Sequence, residues 1–163
     1  MGEVRMIDYW EGSNQDGVPQ AVKACKDKPY VYWKHFAPHD INSTDIGTGK
    51  TRIETAKDLG WKFEVVPKLL VDDGINAGKL FFARLWVDQD NCSYWIDAVA
   101  QYHQQWDDNR GMFLDKPYHD WTSHPADVHR YAAVIENQMT NEESSFERTM
   151  DRNEQNYIPN PYV

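Results

Sequence analysis

The chain has 163 residues, of which 40% are hydrophobic and 13% aromatic, and its formal net charge is −9. This length suits one domain of ordinary size with a real core. The acidic balance argues against a free-standing DNA binder that relies on Lys and Arg to neutralise phosphates, but it is compatible with a divalent-cation site, which is itself acidic. The two cysteines, without CxxC spacing, support neither a disulfide scaffold nor structural zinc.

The first residues carry no charged start followed by an apolar run, and no apolar stretch approaches the roughly 20 residues of a membrane span. We therefore expect no signal peptide, no membrane partner and a reduced cytoplasmic setting.

The hydrophobic patterns predict alternating strands and helices. In chain order, we expect a strand over 3–10, helix 18–27, strand 30–36, helix 50–59, strand 63–66, helix 71–85, an extended link over 86–88, helix 91–100, a hairpin over 101–114 and helix 123–138. The strand, helix, strand order in the middle is typical of an α/β fold with parallel neighbours. Residues 1–138 are thus predicted to form the domain, and the polar, acidic residues 139–163 a tail that is mostly disordered or docked on another surface.

The first candidate site residue is Asp40, in the run Pro38–His39–Asp40 that follows a predicted strand. Ligands of open α/β sheets bind outside the carboxyl ends of the strands, which favours a site here. The same position also suits an Asx turn or a helix cap.

A second candidate lies at the start of the last predicted helix. His119, Asp120, His124 and Asp127 fall within nine residues, and His124 and Asp127 share a helix face because they are three residues apart. A capped helix with an aspartate in its first turn would give the same pattern without any ligand.

The run Gly47–Thr48–Gly49–Lys50–Thr51 resembles a phosphate-binding P-loop only superficially. A GxxxxGK[ST] motif ending here needs glycine at position 44, which is Thr44. We interpret the run as a glycine-containing loop that enters a helix.

Six runs, in order, resemble the C-terminal nuclease domain of the tailed-phage terminase large subunit. They cover about residues 3–135 and are IDYWEGS (7–13), HFAPHDI (35–41), GTGKTRIETAKDLG (47–60), FEVVPK (63–68), DGINAGKLFFARLW (73–86) and HDWTSHPADVHRY (119–131). The resemblance implies a ribonuclease-H-like mixed sheet flanked by helices. It also implies metal-dependent cleavage of concatemeric duplex DNA during packaging, with Mg²⁺ or Mn²⁺ in a two-metal site.

The family motifs match this chain at two acidic positions. Asp40 matches the second catalytic, metal-binding aspartate, and Asp127 matches the last, in the pattern Ala–Asp–x–x–Arg–Tyr. By the same resemblance, the hairpin over 101–114 approaches DNA. We expect five further residues to orient the aspartates or to contact DNA, namely His39, His119, Asp120, His124 and Arg130.

The chain departs from the family pattern at its start. The family's first aspartate lies on a strand that precedes the IDYWEGS strand, and this chain begins at the latter, so we expect an N-terminally truncated sheet with an open edge. Asp8 is a candidate substitute ligand, on a strand that lies at the sheet edge in the family. Two-metal hydrolysis needs a bridging carboxylate, so it is open whether the isolated chain is an active enzyme.

Two functions follow as alternatives. In the first, the chain is part of a terminase nuclease in the host cytoplasm, and its partners are duplex DNA, the terminase motor domain and the missing N-terminal strands. In the second, it is a catalytically inactive binding module that engages packaging proteins such as the portal or the small terminase subunit. A homodimer through the open sheet edge is compatible with both.

Overall fold

The computed structural model describes residues 3–13 and 16–139. These residues form a mixture of helices and strands, which confirms the predicted α/β class. The strands are β1 (Val4–Met6), β2 (His35–Ala37), β3 (Phe63–Val65), β4 (Leu85–Val87), β5 (Gln104–Asp107) and β6 (Met112–Pro117). The α-helices are α1 (Val18–Lys26), α2 (Arg52–Asp58), α3 (Val71–Phe81), α4 (Ser93–Gln101) and α5 (Ser123–Val134).

The described residues also form three short 3₁₀ helices, at His39–Asn42, Phe82–Arg84 and Glu136–Gln138. The tail predicted for residues 139–163 lies outside the described residues except for Met139. No helix of the described ranges is long and apolar enough to cross a membrane.

The strands of the described residues pair in three two-stranded sheets. β1 pairs with β4 and β2 with β3, both in parallel, whereas β5 and β6 form an antiparallel hairpin. The parallel pairing of β2 with β3 across α2 agrees with the expected parallel neighbours. These three two-stranded sheets differ from the single mixed sheet that we expected.

β1 and β2 each use one edge for pairing within the described part of the chain. The Met6 carbonyl accepts from the Asp88 N–H at 2.9 Å, and the Ala37 carbonyl accepts from the Val66 N–H at 2.8 Å. Since successive residues of a strand direct their backbone groups to opposite edges, the N–H and C=O of Arg5 and Phe36 point to the other edge. There, among residues 3–13 and 16–139, no strand pairs with them.

Several strands differ from the sequence prediction, and two of them show why. β2 begins at His35 rather than at residue 30, because the preceding aromatic residues pack locally: the Tyr32 hydroxyl donates to the Cys25 carbonyl at 2.9 Å. The expected link over 86–88 is largely a strand, β4, because its backbone pairs with β1. A three-residue apolar run carries too little periodicity to reveal such a partner.

Helix α2 shows how local sequence sets the boundaries. Thr51 and Glu54 form a reciprocal capping box at its start, and Gly60 follows its end at a φ of 80°. A positive φ favours glycine, which has no Cβ to clash with its own backbone. The buried Ala56 of this helix packs with Val22 of α1 and with Trp61 to form one core cluster.

The packing of α3 against α5 forms the second core. Gly78 of α3 faces His129 of α5, whose ring is 6% exposed and hydrogen-bonds through Nε2 to the Gly78 carbonyl at 2.9 Å. The Phe82 ring stacks on this imidazole, with centroids 4.0 Å apart. Burial lowers the pKa of His129, so α5 is fixed against α3 by a neutral histidine.

Candidate functional site

Asp40 lies in the short 3₁₀ helix that follows β2. Its carboxylate is 56% exposed, and its Oδ2 lies 3.6 Å from Nη1 of Arg52 on α2. This separation is longer than a hydrogen bond and both side chains are exposed, so the pair holds the carboxylate only weakly. The β2 end therefore presents Asp40 to solvent, as expected for a residue at the carboxyl end of a strand.

Asp127 lies in the first half of α5 and is 39% exposed. Its Oδ1 accepts a short hydrogen bond from Nη2 of Arg130, three residues on, and this arginine is 18% exposed. The Arg130 stem passes over Gly74 of α3, where a Cβ would lie 3.5 Å from its Cδ atom. The α3–α5 contact thus orients Arg130, and Arg130 orients the Asp127 carboxylate.

Tyr131 is a partly buried tyrosine on α5. Burial is the main cause that raises the pKa of this phenol, and the negative charges of Asp127 and Asp40 raise it further, while Arg130 lowers it. Tyr131 follows Asp127 by four residues, so helical spacing alone places these two on one face of α5.

The donor chemistry of this pair fits a hard divalent cation. Carboxylate oxygens are preferred ligands of Mg²⁺ and Mn²⁺, and both side chains are open to solvent. Over the described ranges, no group of three or more His, Cys, Asp or Glu side chains comes together as a metal site would require. Among the described residues, Asp40 and Asp127 thus remain candidate ligands without a cluster of three around either.

The predicted cluster at the start of α5 separates into two kinds of residue. Asp120 is used by the helix itself, because its Oδ1 accepts from the Thr122 N–H at 2.9 Å and from the Thr122 hydroxyl at 2.6 Å. These hydrogen bonds lower the pKa of Asp120. His119 and His124 are exposed and face each other with ring centroids 6.2 Å apart.

The other predicted residues lie apart from one another. His39 is exposed beside Asp40, on the same 3₁₀ helix. Asp8, the candidate substitute ligand, is bound by Lys28 Nζ at 2.7 Å and by the Tyr30 hydroxyl at 3.2 Å. The hydrogen bond from Lys28 is the main cause that lowers the pKa of Asp8, so this carboxylate already has partners.

The contacts of the glycine-containing loop before α2 agree with its interpretation as a loop that enters a helix. The Asp45 carboxylate accepts from the N–H groups of Gly47 and Thr48 at 2.7 and 3.3 Å. Lys50 forms an ion pair with Asp58 at 2.7 Å. The groups that would hold a phosphate therefore serve the loop and the helix.

Sequence reasoning missed three residues of this region, namely Arg52, Tyr102 and Tyr131. Burial raises the pKa of Tyr102, and Arg130 and Asp127 act on it with opposite signs, so this phenol also lies near the Asp127–Arg130 pair. The spacing of Tyr131 from Asp127 was a usable signal. Tyr102 and Arg52 come from other elements, and only the fold brings them here.

A separate, mainly apolar cavity of about 310 Å³ lies between β1 and α5. Leu85, Trp95, Val128 and Ala132 contribute to its walls, and Met139, the last described residue, also lines it. It therefore adjoins β1.

The comparisons with known proteins identify no relative: a scan against protein-family models finds no match, and searches of curated proteins and of solved structures find none either.

Proposed function

We propose that the chain is the nuclease part of a terminase large subunit, which cuts concatemeric duplex DNA with Mg²⁺ or Mn²⁺. The observation that carries this proposal is that the two positions matching the family's catalytic aspartates, Asp40 and Asp127, both present carboxylates to solvent, at 56% and 39% exposure. Asp40 also follows β2, where ligands of open α/β sheets bind.

In this proposal Asp40 and Asp127 hold the cation and Arg130 keeps Asp127 in position. Arg130 occupies Oδ1 of Asp127, so Oδ2 remains for the ligand. The loose 3.6 Å pair with Arg52 leaves Asp40 free to turn toward it. The chemistry supplied by such a cation, when bound, is Lewis-acid polarisation of the phosphodiester.

The ribonuclease-H-like arrangement is part of the same proposal. The open edges of β1 and β2 would be bridged by strands from another segment or another chain, which joins β1–β4 and β2–β3 into one mixed sheet. Support comes from the backbone groups of Arg5 and Phe36, which point to edges unpaired over the described ranges. A strand added there would also cover the apolar cavity beside β1.

A second candidate function, an inactive module that binds packaging proteins, is favoured by one observation. Within the described part of the chain, no three candidate ligands come together, and Asp40 and Asp127 each lie beside an arginine. Arginine at both ligands reduces the attraction for a cation.

Plasmid cleavage distinguishes the two candidates. Supercoiled plasmid is incubated with the purified chain and Mn²⁺, beside Asp40→Ala, Asp127→Ala and the control Asp90→Ala, which removes an exposed carboxylate before α4. The nuclease proposal expects nicking by the wild type and the control and background levels for the other two variants. Absence of cutting at high protein concentration contradicts it and favours the binding module. Cutting that survives both substitutions contradicts the assignment of Asp40 and Asp127 as the catalytic carboxylates.

A further inference from the structure

The helices and the parallel strands pack in two groups. The first group comprises α1, α2, β2 and β3, around the core of Val22, Ala56 and Trp61. The second comprises β1, β4, α3, α4 and α5, with His129 buried in its core. Among the described residues, the extensive contacts between these elements fall within one group or the other. The chain crosses between the groups after β1 and after β3. Two connecting segments alone leave such groups free to reorient, so side-chain contacts between the groups must fix their arrangement.

Asp8 joins the two groups. It lies two residues after β1, and its Oδ2 atom is 2.7 Å from Nζ of Lys28 and accepts from the Tyr30 hydroxyl at 3.2 Å. Both partners lie between α1 and β2 of the first group. The Asp8 side chain is only 15% exposed, so salt and water screen this ion pair less than they screen a pair at the surface.

Each end of this contact is fixed within its own group. Next to Asp8, the Ile7 carbonyl accepts from Nδ2 of Asn91 at 3.3 Å, which ties the end of β1 to the segment before α4. On the other side, the Lys28 N–H donates to the Cys25 carbonyl of α1 at 3.1 Å. A change in the position of one group relative to the other therefore strains the Asp8 ion pair rather than a loose loop.

The two candidate aspartates belong to different groups. Asp40 follows β2 in the first group, and Asp127 lies on α5 in the second. Asp40 pairs with Arg52 of α2 and Asp127 with Arg130 of α5, so each of these ion pairs stays within one group. The placement of one aspartate relative to the other therefore depends on the contacts that hold the two groups together.

We infer that Asp8 is a positioning residue: its ion pair with Lys28 and its hydrogen bond from Tyr30 hold the two groups in one orientation and so fix Asp40 relative to Asp127. The consequence for a bound cation rests on the proposed function. Asp8 then contributes to the site from outside it, by orientation rather than as a metal ligand.

Residual dipolar couplings of backbone amides measure this orientation directly. They are recorded on the ¹⁵N-labelled chain for the wild type, Asp8→Asn and Lys28→Met, which remove the ion pair from either side. Lys28 is 38% exposed, so Lys28→Met keeps the test available if Asp8→Asn does not fold. Asp58→Asn is the matched control, because it removes the equally short Lys50–Asp58 pair, which lies within the first group.

We expect the couplings of both groups in the wild type and in Asp58→Asn to fit a single alignment tensor, as those of one rigid body do. In Asp8→Asn and Lys28→Met, the two groups should require different tensors, while each group taken alone still fits one. A single tensor for both groups in these two variants overturns the inference. Different tensors for the two groups in the wild type overturn it as well.

Calorimetry with Mn²⁺ separates this inference from the proposed function. Under that function, Asp8→Asn also weakens Mn²⁺ binding by about tenfold, the loss typical when a residue that orients a ligand is removed, and Asp58→Asn binds as the wild type does. Different tensors together with wild-type Mn²⁺ affinity in Asp8→Asn support the positioning role and overturn the shared cation of the proposed function.

Discussion

Two aspartates near the start of α5 have different partners. Asp120, which precedes the helix, accepts through Oδ1 from the N–H and the hydroxyl of the buried Thr122. Seven residues further on, Asp127 accepts through Oδ1 from the side chain of Arg130. The difference teaches that Asp120 fixes the backbone at the helix start, whereas Asp127 is held by a side chain alone.

The largest effect on stability is expected at the contact between α3 and α5, the helix that carries Asp127. A Cβ at Gly78 would lie 3.0 Å from His129 Cδ2, and this imidazole is buried between rings and hydrogen-bonded, so it has no room to move. We expect Gly78→Ala to lower the free energy of unfolding by about 1–3 kcal/mol. It should also displace Asp127, which weakens Mn²⁺ binding. Urea denaturation and calorimetry measure both effects.

Gly74→Ala is the matched control on the same helix. Its Cβ would meet Arg130 Cδ at 3.5 Å, an ordinary contact, and alanine is the better helix former. We expect this variant to be more stable than the wild type by about 0.5–1 kcal/mol. If Gly78→Ala proves as stable as Gly74→Ala, the close contact at His129 is not what fixes α5.

A smaller effect is expected at the start of α5. Asp120→Asn weakens the two hydrogen bonds to Thr122, and we expect the melting temperature to fall by a few degrees at most while Mn²⁺ affinity is unchanged. Thermal scans monitored by circular dichroism measure this difference.

The contribution of Asp120 to folding stability is expected to decrease under acid conditions. The hydrogen bonds from Thr122 lower the pKa of Asp120 in the folded chain below its unfolded value. Its contribution to stability is therefore fully present above the unfolded pKa of about 4 and is lost as the pH falls through the lower folded pKa. The wild type and Asp120→Asn should thus differ at pH 7 and converge under acid conditions. A difference that persists or grows as the pH falls would contradict this role.

The sequence predicted the helices better than the strands. α1, α2 and α5 were located within a few residues because Pro19, the Thr51–Glu54 capping box and Gly60 act locally. β4 was expected only as a link, since its strand character comes from pairing with β1, far away in the chain. Local patterns carry no information about such a partner.

The candidate site was predictable only in part. Asp40 and Asp127 were singled out from their positions and from motif resemblance, and the structure leaves both carboxylates accessible to solvent. By contrast, the sequence could not show that Asp120 binds the backbone N–H and hydroxyl of Thr122 whereas Asp127 binds the Arg130 side chain, because both aspartates lie near one helix start. The contribution of Arg52 and Tyr102 follows from tertiary contacts alone.

The most direct test of the central claim is where Mn²⁺ binds. Increasing Mn²⁺ is added to the ¹⁵N-labelled chain, and paramagnetic broadening of backbone amide signals is followed residue by residue. If Asp40 and Asp127 form one cation site, signals around residues 39–42 and 125–131 broaden first and together, and Asp127→Asn abolishes the broadening in both segments. Broadening of only one segment, or broadening centred on another carboxylate such as Asp8, would show that the two aspartates do not share a cation.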